Sequence, residues 1–107
     1  MTTVRARVVL VTAPDLETAQ RIARAWVEAR LVACVNLVPG ITSIYRFEGR
    51  IEESREVLLI AKTELRRIVD LEASLAKVHP YSVPEFVVLE AQHVAASYAA
   101  WLADETR

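Results

Sequence analysis

Few residues of this chain have the chemistry to hold a metal ion or a small ligand. Cys34 begins an apolar run, where a lone cysteine commonly behaves as a small hydrophobic residue. His79 ends a helical pattern, where an imidazole commonly serves the last carbonyls of the helix. Glu85 follows Pro84 and suits a loop carboxylate, a salt-bridge partner or a ligand. No two of these residues lie at an interval typical of a metal site, so spacing alone leaves ligand and structural roles open.

Catalytic patterns are missing from the sequence. No nucleophile motif, phosphate-binding loop, dinucleotide fingerprint or H-E-x-x-H occurs, and nothing pairs a nucleophile with a base. Lys62 ends a hydrophobic strand, where its stem either carries the charge to solvent or leaves it as a pocket's counter-charge. We therefore predict a protein that is not an enzyme and has no organic cofactor.

Length and charge limit the possible classes of protein. The 107 residues predict a single domain over residues 1–107. Thirteen basic residues against fourteen acidic ones leave a net charge of −1, which predicts no nucleic-acid partner. No apolar stretch is long enough to cross a membrane, and we expect no membrane association. The single cysteine and the missing signal-peptide core favour a cytoplasmic location.

The first half of the chain predicts a strand, a helix and a long hairpin. Residues 8–11 form a short β-branched run, and Asp15 is a good N-cap for a helix with Glu17 in its first turn and Arg30 in its last. Residues 33–47 and 51–62 then predict two strands, with a bulge at the Pro-Gly pair at 39–40. An arm of this length reaches about 40 Å. Since a domain of this size has a radius of gyration of about 13 Å, the hairpin should project and need a partner chain.

The second half predicts two more helices and a fourth strand. Thr63 is the expected N-cap of a helix that stops at the His-Pro pair at 79–80. Residues 86–89 suit a strand, and residues 95–103 suit a closing helix. The order β-α-β-β-α-β-α predicts an α+β, ferredoxin-like βαββαβ fold with an extra C-terminal helix and a long hairpin between the second and third strands.

Several segments resemble the CutA family of divalent-cation tolerance proteins. The specific blocks are A-C-V-N-L-V-P-G at residues 33–40 and H-P-Y-S-V-P-E at residues 79–85. Shorter matches are T-A-P-D at 12–15, S-I-Y-R-F-E-G at 43–49, K-T at 62–63 and Y-A-A-W-L at 98–102. They occur in the family's order over nearly the whole chain.

The resemblance implies a cytosolic homotrimer whose hairpins pair between subunits. It also implies tolerance to copper and other divalent cations, so copper or another divalent metal ion is the expected partner. The implied ligands are His79, Cys34 and Glu85, since a thiolate with an imidazole suits copper or zinc. Some relatives carry a further cysteine and histidine where this chain has Val11 and Val78.

A second hypothesis follows from the same resemblance. The family's fold and trimer are similar to those of PII signalling proteins, which bind small ligands between subunits. In that case Lys62, Tyr81, Glu85 and Trp101 would line an inter-subunit cleft and recognise a small anionic metabolite.

Overall fold

The molecule is a mixed α+β structure built on one four-stranded antiparallel sheet. The computed structural model describes residues 4–107. In these residues the elements follow the predicted order: β1 (Ala6–Ala13), α1 (Leu16–Glu28), β2 (Cys34–Phe47), β3 (Arg50–Glu64), α2 (Ile68–Val78), β4 (Val87–Glu90) and α3 (Ala96–Glu105). The strands lie in the order β2-β3-β1-β4, and each neighbouring pair is antiparallel. None of the helices in this part of the chain is long and apolar enough to cross a membrane.

The core lies between one face of the sheet and the helices α1 and α2. Trp26 and Ile22 of α1 are fully buried against Leu59 of β3 and Leu71 of α2. Each such side chain contributes about 2–3 kcal/mol through apolar burial. Leu102 of α3 belongs to a second, smaller cluster. The central strands β1 and β3 are therefore held firmly, and they provide a stable base for the side chains at their ends.

Helix α1 begins where the sequence predicts and ends earlier. The side chain of Asp15 accepts a hydrogen bond from the backbone N–H of Thr18 at 2.7 Å, as an N-cap should. The prediction that Arg30 lies in the last turn is wrong, because the helix ends at Glu28. Arg30 instead takes a left-handed conformation with φ of 59°, and its N–H donates to the carbonyl of Val27.

The Asp15 cap makes the stability of the protein depend on pH. The hydrogen bond from Thr18 holds the pKa of Asp15 below its ordinary value of 3.8. A lowered carboxyl pKa stabilises the fold above pH 3.8, and this stabilisation is lost as the pH falls through the lowered pKa. We expect Asp15→Ala to unfold more easily than the wild type at pH 7. Urea titrations should show that the difference in stability between the wild type and Asp15→Ala becomes smaller below pH 3.8. The control is Asp15→Asn, whose amide oxygen is an uncharged acceptor. Its stability relative to Asp15→Ala should be the same at pH 7 and below pH 3.8. A difference that stays constant with pH would contradict this account.

The start of the second helix differs from the prediction. Thr63 is not an N-cap: it lies within β3, and its hydroxyl donates to the carbonyl of Leu31 at 2.7 Å. A short 3₁₀ turn (Leu65–Arg67) follows, and α2 begins only at Ile68 without a side-chain cap. The hydroxyl is used to join the end of β3 to the segment after α1, since a buried polar group must find a partner.

The hairpin of β2 and β3 projects as predicted. The two strands pair from Cys34 opposite Lys62 to Phe47 opposite Arg50, with a register shift between Val38 and Ile41 at the predicted bulge. The molecule measures 51 × 26 × 23 Å, so its long axis is about twice either other axis. Large apolar side chains near the turn of this hairpin are exposed to solvent, with Ile44 66% exposed and Ile51 64% exposed.

Candidate functional site

An open cleft lies between the hairpin and the loop that follows α2. It has a volume of about 940 Å³. Residues 43–47 of β2 and residues 81–85 of the loop line it, together with Thr12 of β1 and Glu56 of β3. We call this space the hairpin cleft. It combines a stable base on the central strands with walls that come from two other parts of the fold.

Two carboxylates give the hairpin cleft an excess of negative charge. Glu56 is only 8% exposed, and the Tyr81 hydroxyl donates to its Oε2 at 2.8 Å. Glu85 lines the same space, and partial burial together with the charge of Glu56 raises the pKa of Glu85. Burial and the bond to Glu56 also raise the pKa of Tyr81. Within residues 4–107 neither carboxylate forms an ion pair, and Arg46 is the one basic residue lining the cleft.

His79 supports the cleft from behind and does not offer a free nitrogen to it. The residue is 8% exposed, and its Nε2 lies 2.7 Å from the carbonyl of Thr12. Its Nδ1 accepts a hydrogen bond from the backbone N–H of Tyr81 at 3.1 Å. These partners assign the neutral tautomer with the proton on Nε2, since a carbonyl can only accept and an N–H can only donate. The imidazole ring also packs 4.7 Å from the Tyr81 ring, so it fixes the tyrosine that holds Glu56.

Cys34 lies in a different group of side chains, which we call the Cys34 cluster. Its Sγ is 3.4 Å from the Tyr98 hydroxyl, and this hydrogen bond, with burial, raises the pKa of Tyr98 to about 12. The Trp101 ring lies 5.4 Å from the Tyr98 ring. Lys62 stands directly opposite Cys34 in the sheet and donates a hydrogen bond to Asn36. The cluster therefore joins the start of β2 to the end of β3 and to α3.

The predicted metal ligands do not meet within one chain. Cys34 lies opposite Lys62 of β3. His79 is hydrogen-bonded to Thr12, and Thr12 lies opposite Leu58 of β3. These two points are about 13 Å apart along β3, at roughly 3.3 Å per residue. Across the described residues no group of three or more His, Cys, Asp and Glu side chains could hold a metal ion. Of the predicted set His79, Cys34 and Glu85, only Glu85 lines the cleft.

The four residues of the predicted ligand pocket also lie in two separate places. Tyr81 and Glu85 line the hairpin cleft, whereas Lys62 and Trp101 belong to the Cys34 cluster. Sequence reasoning missed Glu56, although a carboxylate directly before the apolar run at 57–61 is a usable signal. The bulge places Glu56 opposite Ile41 and so changes which side chains face the cleft.

The fold and the cleft together define a small mixed α+β protein with a long hairpin and an acidic cleft beside it. A family model described as the CutA1 divalent ion tolerance protein matches residues 7–105. The chain therefore belongs to the CutA family of divalent-cation tolerance proteins.

Individual relatives agree with this assignment. The Divalent-cation tolerance protein CutA of Thermus thermophilus is 46% identical over 99 residues, which is 92% of this chain and 96% of that protein. Protein CutA of Homo sapiens is 45% identical over 96 residues, which is 90% of this chain and 54% of that protein. The crystal structure of CutA1 from Oryza sativa superimposes with a TM-score of 0.96 at 39% identity and covers 100% of this chain and 98% of that one.

Proposed function

We propose that this chain forms a cytoplasmic, non-catalytic homotrimer that contributes to divalent-cation tolerance by binding a divalent metal ion in the hairpin cleft. The relatives carry the name of divalent-cation tolerance proteins, and this name supports the proposal. The strand order β2-β3-β1-β4 supports a ferredoxin-like topology. The exposed apolar side chains of the hairpin support assembly, since large exposed apolar patches mark interfaces.

The observation that carries the metal proposal is the uncompensated charge of Glu56. A buried carboxylate without a cation is costly, and a bound cation offsets that cost. Glu56 and Glu85 both line the cleft, and carboxylate oxygens are ligands for divalent cations. Two carboxylates do not complete a coordination shell, so water or a neighbouring subunit would supply the remaining ligands. His79 would act by positioning Tyr81, and Cys34 would take no part within the same subunit.

A metal titration with two matched variants tests this proposal. We expect Glu85→Gln to weaken Zn²⁺ or Cu²⁺ binding about tenfold or more, since it removes a charged ligand and keeps the shape. Glu90→Gln is the control, because Glu90 lies on β4 outside the cleft and is also exposed. Competition against a chelator of known affinity gives the dissociation constants. Equal affinities of the two variants would remove Glu85 from the site.

The pH dependence of metal binding has a defined sign. Partial burial and Glu56 raise the pKa of Glu85 above its ordinary value of 4.5. Protons therefore compete with the metal ion at a higher pH than at an ordinary glutamate. As the pH is lowered, wild-type affinity should therefore begin to fall at a higher pH than it would with a glutamate of ordinary pKa, whereas the weaker affinity of Glu85→Gln should change less.

The second candidate is a PII-like signalling trimer that binds a small anionic metabolite between subunits. The position of Lys62 favours it, since this lysine lies opposite Cys34, whose Sγ contacts the hydroxyl of the partly exposed Tyr98. Only contacts between chains could bring Lys62 and Trp101 to Tyr81 and Glu85. A metabolite that raises the melting temperature of the wild type and not of Lys62→Ala supports this function. Lys77→Ala, at the exposed end of α2, is the control.

A further inference from the structure

We propose that the hairpin cleft binds a small organic ammonium ion, with the cationic head at Glu56 and Glu85 and the aliphatic part against aromatic side chains. This inference uses the same cleft as the metal proposal and concerns a different class of ligand. It rests on the walls of the cleft, on its charge and on its size.

The walls of the cleft are rich in aromatic side chains. Tyr45, Phe47 and Tyr81 all line it. Aromatic faces attract organic cations and also accept the methylene groups of an aliphatic chain. A hydrated metal ion gains little from such walls. Their presence beside two carboxylates therefore favours a ligand that is both cationic and partly apolar.

The charge of the cleft selects a cation. Glu56 is more than nine-tenths buried and has no cationic partner in residues 4–107. The bond from Tyr81 reaches its Oε2, and no hydrogen bond from the described chain reaches its Oε1. Glu85 adds a second carboxylate, and Arg46, the one described basic residue that lines the cleft, forms an ion pair with neither. An anionic ligand would have to approach both carboxylates, so this cleft by itself disfavours the small anion expected from the resemblance.

The geometry of the cleft also suits an ammonium group, which needs fewer ligand atoms than a metal ion. A metal ion needs several ligand atoms around it, and the described residues hold no cluster of three or more His, Cys, Asp and Glu side chains. An ammonium group needs only hydrogen-bond acceptors, which Glu56 Oε1 and the carboxylate of Glu85 supply. The volume of about 940 Å³ is also that of a site for an organic molecule.

A matched series of four-carbon ligands tests the proposal. Calorimetric titrations would compare 1-butylammonium with the neutral 1-butanol and the anionic butyrate. We expect 1-butylammonium to bind at least tenfold more tightly than either. Glu56→Gln should weaken its binding at least tenfold while keeping an oxygen that accepts the Tyr81 bond. Phe47→Ser should weaken it severalfold through the loss of the aromatic wall. The control is Glu53→Gln, which removes an exposed hairpin carboxylate outside the cleft.

Each outcome supports or overturns the proposal that the cleft binds an amine. The metal proposal is tested separately. Equal binding of 1-butylammonium and butyrate, or equal affinities of Glu56→Gln and Glu53→Gln for the amine, would overturn the inference. Absence of measurable binding by the wild type would do the same. Zn²⁺ titrations on the same samples report on the metal proposal, because a loss of Zn²⁺ affinity in Glu85→Gln stands whether or not the amine binds. Melting curves of each variant show that the protein tested is folded.

Discussion

The double variant Ile44→Lys, Ile51→Lys is expected to convert the proposed trimer into monomers. Ile44 lies opposite Glu53 and Ile51 lies opposite Arg46, so the two isoleucines share one face of the hairpin. They are 66% and 64% exposed in the single chain. Burying each one in an interface contributes about 1.5–3 kcal/mol, and a lysine at the same place leaves an unpaired charge in the contact. The six such losses in each trimer should outweigh the association energy.

Sedimentation equilibrium measures this result directly. The wild type should behave as three copies of a 12.0 kDa chain, and the variant as a single copy. The melting temperature of the wild type should rise with protein concentration, whereas that of the variant should not. The control is Glu48→Lys, which changes an exposed charge in the turn of the same hairpin and should remain trimeric. A double variant that stays trimeric would place the interface away from this face.

The fold was largely predictable because the hydrophobic pattern and the turn residues agree. The apolar run at 8–11, the Asp15 cap and the Pro-Gly bulge each specify local structure, and the element order follows from them. The prediction for Thr63 failed because two roles compete for one hydroxyl. A threonine before a helical pattern suits a cap, yet here a carbonyl from a distant segment takes the bond. Such tertiary competition leaves no trace in local sequence.

The candidate site was predictable only in part, since it depends on contacts between distant segments. Tyr81 and Glu85 lie in one motif and line the same cleft. Glu56 comes from the middle of the hairpin, and only the register of β2 against β3 brings it to Tyr81. The grouping of Cys34 with His79 came from the chemistry that the two residue types share. The sheet separates them, because Cys34 lies opposite Lys62 near the end of β3, whereas His79 bonds to Thr12, which lies opposite Leu58 in the middle of β3.

His79→Ala is expected to destabilise the protein, because it removes the side-chain partners of one buried and one part-buried backbone group. The carbonyl of Thr12 loses the donor at 2.7 Å, and the N–H of Tyr81 loses the acceptor at 3.1 Å. The unsatisfied buried carbonyl costs about 1–3 kcal/mol, and the part-buried N–H of Tyr81 adds a smaller loss. The combined loss is an appreciable share of the roughly 5–15 kcal/mol that stabilises a typical domain.

Guanidinium unfolding at one fixed protein concentration measures the loss, and a Zn²⁺ titration separates the two possible roles of His79. His93→Ala, at an exposed histidine, should change the free energy of unfolding by less than about 0.5 kcal/mol. His79→Gln keeps a donor for the Thr12 carbonyl and should recover part of the stability. If His79 positions Tyr81, folded His79→Gln binds Zn²⁺ more tightly than Glu85→Gln does, since both cleft carboxylates remain. A variant with wild-type stability and no Zn²⁺ affinity would instead make His79 a ligand, and its ring would then have to leave both of its backbone partners to reach the metal ion.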